Sequence, residues 1–242
     1  VAQQEFKKGE RILEENALLI CNTGESYKNW KAHQAEAWFE TERQGTTNRL
    51  QRAVERLSQA DRATFDNSYT PNAAATEYEQ LVDRCSRNSF EFYTKRVWKI
   101  QVVVYNVISR ANHSCGPNAT LEIQTQGDNK GQARLIATKA IPNNSEILVN
   151  YISENWTDDS DARKALLDNR WRFDCTCEGC APEIQASIDA GERASARSLR
   201  DNMTTITTGL TRAQIPRSIN RVQTYIDTLG TLGIWDDKLS EV

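Results

Sequence analysis

The chain has 242 residues, with 30 Lys plus Arg against 33 Asp plus Glu, a net charge of −3 and 38% hydrophobic residues. That length buries a substantial core and suits one large domain or one domain with an appendage. The near-balanced charge excludes a global basic field for gripping nucleic acid or an anionic membrane. No apolar run approaches the ~20 residues of a membrane-spanning helix, which predicts a soluble protein.

The sequence opens at Val1 with no signal-peptide pattern and reads as a piece of a longer chain. FKKGERILEENALL, at 6–19, has a Gly turn followed by partial alternation, which predicts a strand pair. From about Ser26 to Ser86 the pattern turns helical. In NRLQRAVERLSQADRATF, at 48–65, Leu50, Ala53, Val54 and Leu57 recur at helical spacing, with Arg52, Glu55 and Arg56 on the solvated face. Residues 97–108 are apolar and β-branched enough for a buried strand, and 121–124 with 134–138 flank a Gly/Asp/Asn turn, which predicts a hairpin. A turn at Pro142, Asn143 and Asn144 leads to a short strand, EILVNY. Thr157 or Asp158 is placed to cap a helix over 161–171. Beyond Pro182 two antiparallel helices are predicted, the second after Pro216.

Three of the six cysteines crowd into FDCTCEGC, at 173–180, as C-x-C-x-x-C. Clustered cysteines without a sign of secretion are more often metal ligands than disulfides. A tight loop of this spacing can turn three thiolates toward one ion, but a structural zinc site is closed and tetrahedral. The cluster therefore predicts a fourth ligand from elsewhere: Cys21, Cys85, Cys115 or His113. The last two lie in NHSCGPN, at 112–118, which on its own reads as a polar turn loop. Were Cys115 the ligand, the metal would tie the cysteine arm to that loop. Cys21 and Cys85 otherwise read as small buried apolar residues.

NHSCGPN, then NSEILVNYI at 144–152, then FDCTCEGC, in this order and at these separations, resembles the SET-domain protein methyltransferases, and most of all their SET-and-MYND-like branch. The family's patterns are NHSC-x-PN, GEE-(L/I)-x-(I/V)-x-Y and a post-SET C-x-C-x-x-C. The opening 6–19 stretch is similar to the family's first strand region, and NSF at 88–90 to its N-(S/G/A)-F segment. The resemblance covers roughly residues 1–20 and 86–180.

It implies an α+β fold: small curved β-sheets with a pseudoknot where the NHSC segment crosses the EILVNY strand. The N-terminal part would be 1–20, a helical insertion 21–85, the core 86–156, a post-SET zinc-binding segment 157–180 and a helical C-terminal extension 181–242. The implied activity is methyl transfer from S-adenosylmethionine to a lysine of a histone or other protein, in nucleus or cytoplasm, with no direct nucleic-acid or membrane binding. Asn112 and His113 would hold the adenine and methionine part of the cofactor, Asn88 its polar end, and Phe173 would pack on the adenine. Tyr151 would line the cofactor site and place its hydroxyl, as the catalytic residue, by the methyl-transfer channel. Cys115, Cys175, Cys177 and Cys180 match the family's structural zinc ligands, in agreement with the ligand count.

Such a transfer is an in-line displacement, so catalysis is mainly alignment of a neutral amine with the S–CH₃ bond. A lysine's ordinary pKa of about 10.4 requires a site that favours the deprotonated amine, as a dry aromatic channel beside a sulfonium would. Three departures from the family pattern stand out. Its glycine-rich G-x-G turn would lie just before Val1, GEE reads NSE, and Trp171 stands four residues before Cys175 where a channel tyrosine is usual. Tryptophan cannot supply a hydroxyl. The 21–85 stretch has no cysteine/histidine cluster and thus no MYND finger. A rival expectation is a catalytically silent SET module that binds a partner. A purely structural zinc domain would leave the NHSC and EILVNY pairing unexplained.

Overall fold

In the computed structural model the described residues are 1–25, 45, 48–70, 76–94, 99–152, 159–180, 223, 224 and 227. In chain order the elements are β1 (Arg11–Glu15), β2 (Leu19–Glu25), α1 (Gln59–Asp66), α2 (Glu77–Asn88), β3 (Ser89–Thr94), β4 (Lys99–Val104), β5 (Asn112–His113), β6 (Ala119–Ile123), β7 (Ala133–Ala137), β8 (Leu148–Val149) and α3 (Ser160–Trp171). The strands form three small sheets, ordered β1-β7-β6, β2-β4-β3 and β5-β8. The architecture is mixed α+β with few helices. The chain divides into two compact units, one of Val1–Arg11, Asn112–Thr120 and Ile136–Val242, the other of Ile12–Ala111 and Leu121–Leu135.

Within the second unit, the valines of β4 decide which face goes where. β4 pairs antiparallel with β2 and with β3, Val103 lying opposite Ile20 and Phe90. The pleat sends successive side chains to opposite faces. Val102 and Val104 accordingly join Leu19, Cys21, Leu50, Val54, Phe65 and Cys85 in one core, while Val103 and Tyr105 join Phe92, Ile108 and Ala133 in another. Cys21 and Cys85 are the buried apolar residues that their sequence context predicts.

The helix predicted over 48–65 comes in two pieces, helical at 48–55 and again in α1. Ser58 makes the break, its side chain accepting from the Asp61 N–H at 3.1 Å as an N-cap. Arg52, Glu55 and Arg56 are exposed as expected. α2 opens on a capping box: Thr76 Oγ1 accepts from Glu79 N–H at 3.2 Å while Glu79 Oε2 accepts from Thr76 N–H at 2.9 Å.

The strand pair predicted over 6–19 does not form as a pair. β1 sits beside β7 and β2 beside β4, because the chain commits to β4 before β2 begins, Leu18 N–H already reaching Val104 O at 2.9 Å. The buried strand predicted over 97–108 stops at Val104. Beyond it, Glu15 turns its carboxylate onto the N–H groups of Asn106, Val107 and Ile108 at 2.8, 3.0 and 2.9 Å, and the chain bends into a short 3₁₀ turn, Ile108–Arg110. β2 also runs on to Glu25, into the stretch read as the start of the insertion.

In the first unit the opening residues run against 137–145: Phe6 and Ile141 exchange backbone hydrogen bonds at 2.9 Å, and Ala2 N–H reaches Ser145 O at 2.8 Å. Of EILVNY only Leu148–Val149 is strand. α3 is capped by Asp159, whose carboxylate accepts from Ala162 N–H at 2.8 Å, while Thr157 and Asp158 lie outside the described residues. The two helices predicted beyond Pro182 also lie outside them, save residues 223, 224 and 227, which are helical. Among the described residues no helix is long and apolar enough to cross a membrane.

The predicted hairpin forms from β6 and β7, and its turn depends on Gly131, at φ +85°, where a Cβ would collide with the Ile20 side chain. Gly127, at φ +78°, has open space around it. Gly131→Ala should cost more than Gly127→Ala, whose loss is about 1–3 kcal/mol for a left-handed alanine. Denaturant unfolding of both variants measures the difference, and equal losses would mean that Ile20 yields freely.

Candidate active site and metal centre

The first unit gathers NHSCGPN, EILVNY and FDCTCEGC in one place. β5 and β8 pair in parallel, Asn112 with Leu148 and His113 with Val149. Two residues make a short ladder, and Asn118 lengthens it. Its own N–H bonds Leu148 O at 3.2 Å, its Oδ1 accepts from Leu148 N–H at 2.8 Å, and its Nδ2 donates to Glu146 O at 2.8 Å. Ser114 N–H adds a bond to Val149 O at 3.0 Å. The polar loop is therefore a clamp on the second motif.

His113 is buried, and its Nδ1 accepts from Tyr151 N–H at 3.0 Å. The ring proton is thus assigned to Nε2, which faces Cys115 Sγ at 3.3 Å. Burial pulls its pKa down to about 4, so the ring is neutral near pH 7. Both ring nitrogens are engaged within the protein. Asn112 is exposed and donates through Nδ2 to Glu146 Oε1 at 2.6 Å.

Four aromatic rings follow one another here. His113 lies 5.2 Å from Tyr151 and 6.1 Å from Phe173, and Tyr151 lies 5.1 Å from Trp171. Burial, helped by the Glu146 charge, pushes the Tyr151 phenol up to about 12, which keeps its hydroxyl protonated and able to donate. Trp171 ends α3 and Arg172 then adopts a left-handed conformation, φ 60°, its N–H bonding Asp168 O at 2.9 Å. That turn brings Phe173 back toward His113.

The four thiols of Cys115, Cys175, Cys177 and Cys180 lie within 4.8 Å of one another. Cys115 Sγ is 3.5 Å from Cys180 Sγ, close to the about 3.8 Å that tetrahedral Zn–S bonds of ~2.3 Å impose. Nothing else about the donors argues against a metal: all six cysteines are free thiols. The four thiols share their protons unevenly: hydrogen bonds from the other three hold the Cys177 thiol far below its ordinary range and those from Cys115 and Cys175 bring Cys180 down to about 7, while Cys115 and Cys175 are pushed far up. Of the four candidates for the missing ligand, the geometry selects Cys115; Cys21 and Cys85 belong to the other unit.

Asn112, His113, Tyr151, Phe173 and the four cysteines therefore share one unit. Asn88 belongs to the other, as the last residue of α2, where its amide donates to Tyr69 O at 2.8 Å and Arg84 O at 2.7 Å. Sequence reasoning passed over Glu146 and Asn118, which read as turn residues, and Arg163. The arginine did leave a signal, standing four and eight residues before Leu167 and Trp171 on what becomes the buried stripe of α3.

Residues 1–152 match the SET domain family, more than half of the chain. The fold of small sheets and the site define a protein of that class, and the chain belongs to the SET domain family. It is 33% identical over 93 residues to histone-lysine N-methyltransferase SET5 of Eremothecium gossypii, a match covering 38% of this chain and 18% of that protein. Histone-lysine N-methyltransferase ATXR2 of Arabidopsis thaliana is 39% identical over 69 residues, 28% of this chain and 14% of that protein. SET5 of Candida glabrata is 32% identical over 82 residues, 34% of this chain and 15% of that protein. The matches thus span less than a fifth of these relatives' lengths.

Asn118→Ala would leave Leu148 N–H without its acceptor, a loss of about 1–3 kcal/mol. Asn118→Asp keeps the acceptor and should lose less. Amide exchange at Leu148, with thermal unfolding, checks the order; equal exchange in wild type and Asn118→Ala would show that the side chain does not hold the crossing.

Proposed function

We propose that the protein transfers a methyl group from S-adenosylmethionine to a lysine of a protein substrate, as a member of the SET-and-MYND-like branch with a post-SET zinc. The single observation that carries this reading is the junction of the β5–β8 crossing, the aromatic rings and the four thiols in one unit. Histones are the first substrates to try, given the relatives' names, and nuclear action follows from them. Supporting the cofactor assignment, Asn112 is exposed and its amide nitrogen is bonded to Glu146 Oε1, a partner that would hold the side chain in place for a ligand. Phe173, half-buried, offers a ring for stacking on a purine.

When bound, S-adenosylmethionine supplies an electrophilic methyl whose bond to sulfur breaks, the electron pair staying on sulfur, as the amine nitrogen bonds the carbon. The chain's residues align and shelter the partners. Tyr151, protonated, presents its hydroxyl to orient the acceptor amine, and Trp171 and His113 beside it exclude water. The dry wall favours the neutral amine over the ammonium. Cys115, Cys175, Cys177 and Cys180 would hold zinc and fasten the segment bearing Phe173 to the strand bearing His113. Asn88 stays a proposed contact for the cofactor's polar end.

A second reading, a SET module that binds a partner without turnover, is favoured by Trp171 standing against Tyr151 where a second hydroxyl would otherwise be. Calorimetric titration of S-adenosylhomocysteine into the zinc-loaded chain, followed by transfer of radiolabelled methyl to histones, separates the two. Binding should weaken at least about tenfold in Asn112→Ala, a loss of ~1.4 kcal/mol, and label should appear on lysine. Binding without transfer to any protein acceptor would leave the second reading, and no binding to wild type would overturn the cofactor assignment.

A further inference from the structure

Arg163 is one of the largest fully buried side chains, at 0% exposure. Charged side chains are almost never buried to that degree without a partner. Its place follows from α3: Arg163, Leu167 and Trp171 are the helix's buried residues, spaced by four, and the latter two pack in one core with Cys115, Cys175 and Cys180. Arg163 Nη2 donates to Gly179 O at 2.9 Å and approaches Cys180 Sγ at 3.9 Å. The same guanidinium thus touches both the backbone and a thiol of the 3₁₀ turn Glu178–Cys180, in which Cys180 N–H closes onto Cys177 O at 2.8 Å.

We infer that Arg163 is the counter-charge of the four-cysteine centre and a positioning residue for its metal loop, a role that rests on the zinc reading above. Four thiolates around one divalent ion leave a net charge of about −2, and removing that charge from water is costly. A fixed cation within reach of Cys180 offsets part of that cost. The guanidinium suits both tasks because its Nη2 carries two N–H groups and lies beside a carbonyl and a sulfur at once, and because its charge is permanent. Its neighbours in this role are the helix and the metal loop, so it joins α3 to the segment that carries Phe173.

The test is zinc affinity by chelator competition, and the rate of zinc release, in wild type, Arg163→Met, Arg163→Gln and Arg163→Lys, with circular dichroism to report folding. Arg163→Met and Arg163→Gln should each lose about 10- to 100-fold in affinity, the usual cost of removing a side chain that supports metal ligands. Arg163→Lys, which keeps the charge without the fork, should recover most of that loss. Where Arg163→Met fails to fold, Arg163→Gln, which keeps a donor for Gly179 O, carries the comparison. Wild-type affinity in the neutral variants would overturn the inference, as would equal losses in lysine and neutral variants, which would mark a packing role. A wild-type chain that holds no zinc would sink the zinc reading itself, a result distinct from zinc held equally well with and without the arginine charge.

Discussion

A ladder of two residue pairs, Asn112 with Leu148 and His113 with Val149, is the constraint on which the site depends. Parallel pairing is slightly the weaker kind per residue, and two pairs cannot hold a register by themselves. Side chains complete it. Asn118 supplies a carbonyl and an amide to the 146–148 backbone, and His113 Nδ1 accepts the N–H of Tyr151. A slip of one residue would turn His113 to the opposite face and take its ring nitrogen from Tyr151. Asn112, His113, Cys115 and Tyr151 are all within three residues of that ladder, so the register fixes these four side chains together.

The same histidine joins the ladder to the thiols. Its Nε2–H points at Cys115 Sγ, and a thiolate is a stronger acceptor than a thiol. Deprotonating Cys115, as metal binding requires, therefore strengthens the bond that keeps the proton on Nε2. That in turn leaves Nδ1 unprotonated for Tyr151 N–H. One imidazole ring thus touches both the thiol cluster, through Nε2, and the Tyr151 backbone, through Nδ1.

Much of this was legible in residues. Ligand counting demanded a fourth partner for the C-x-C-x-x-C cluster, and ordered motifs singled out Cys115, which the geometry brings to the other three. The apolar, β-branched run of β4 was readable as a buried strand, and helical spacing at Leu50, Val54 and Leu57 named residues that do pack into a core of the second unit; which β4 side chains face which core was not read. The misses have local causes. Periodicity could not locate the Ser58 cap inside a continuous helical pattern, nor say that β1 and β2 would turn to different sheets, since alternation names a face and not a partner. Glu146 and Asn118 escaped because their roles are tertiary: a turn asparagine and a turn glutamate carry no sign of the strand they will hold. Arg163 was readable in principle, as a charge on an apolar stripe.

The end of α3 shows what the departure at Trp171 changes. Arg172 takes a left-handed conformation usually left to glycine, which costs about 1 kcal/mol, and so sets Trp171 and Phe173 on either side of a sharp turn. Trp171 is flanked by Tyr151 and by the Arg170 guanidinium, 4.7 Å from its ring. Held between them, it makes a rigid wall with an indole N–H and no hydroxyl. Of the four rings of the site only Tyr151 carries an O–H, and with its pKa pushed up to about 12 that group remains a donor across the physiological range. Under the proposed reading Tyr151 is the ring that could offer a hydroxyl to an acceptor; its backbone N–H is bonded to His113 Nδ1 and the Glu146 charge helps raise its phenol pKa, so residues beside the β5–β8 pairing set its surroundings.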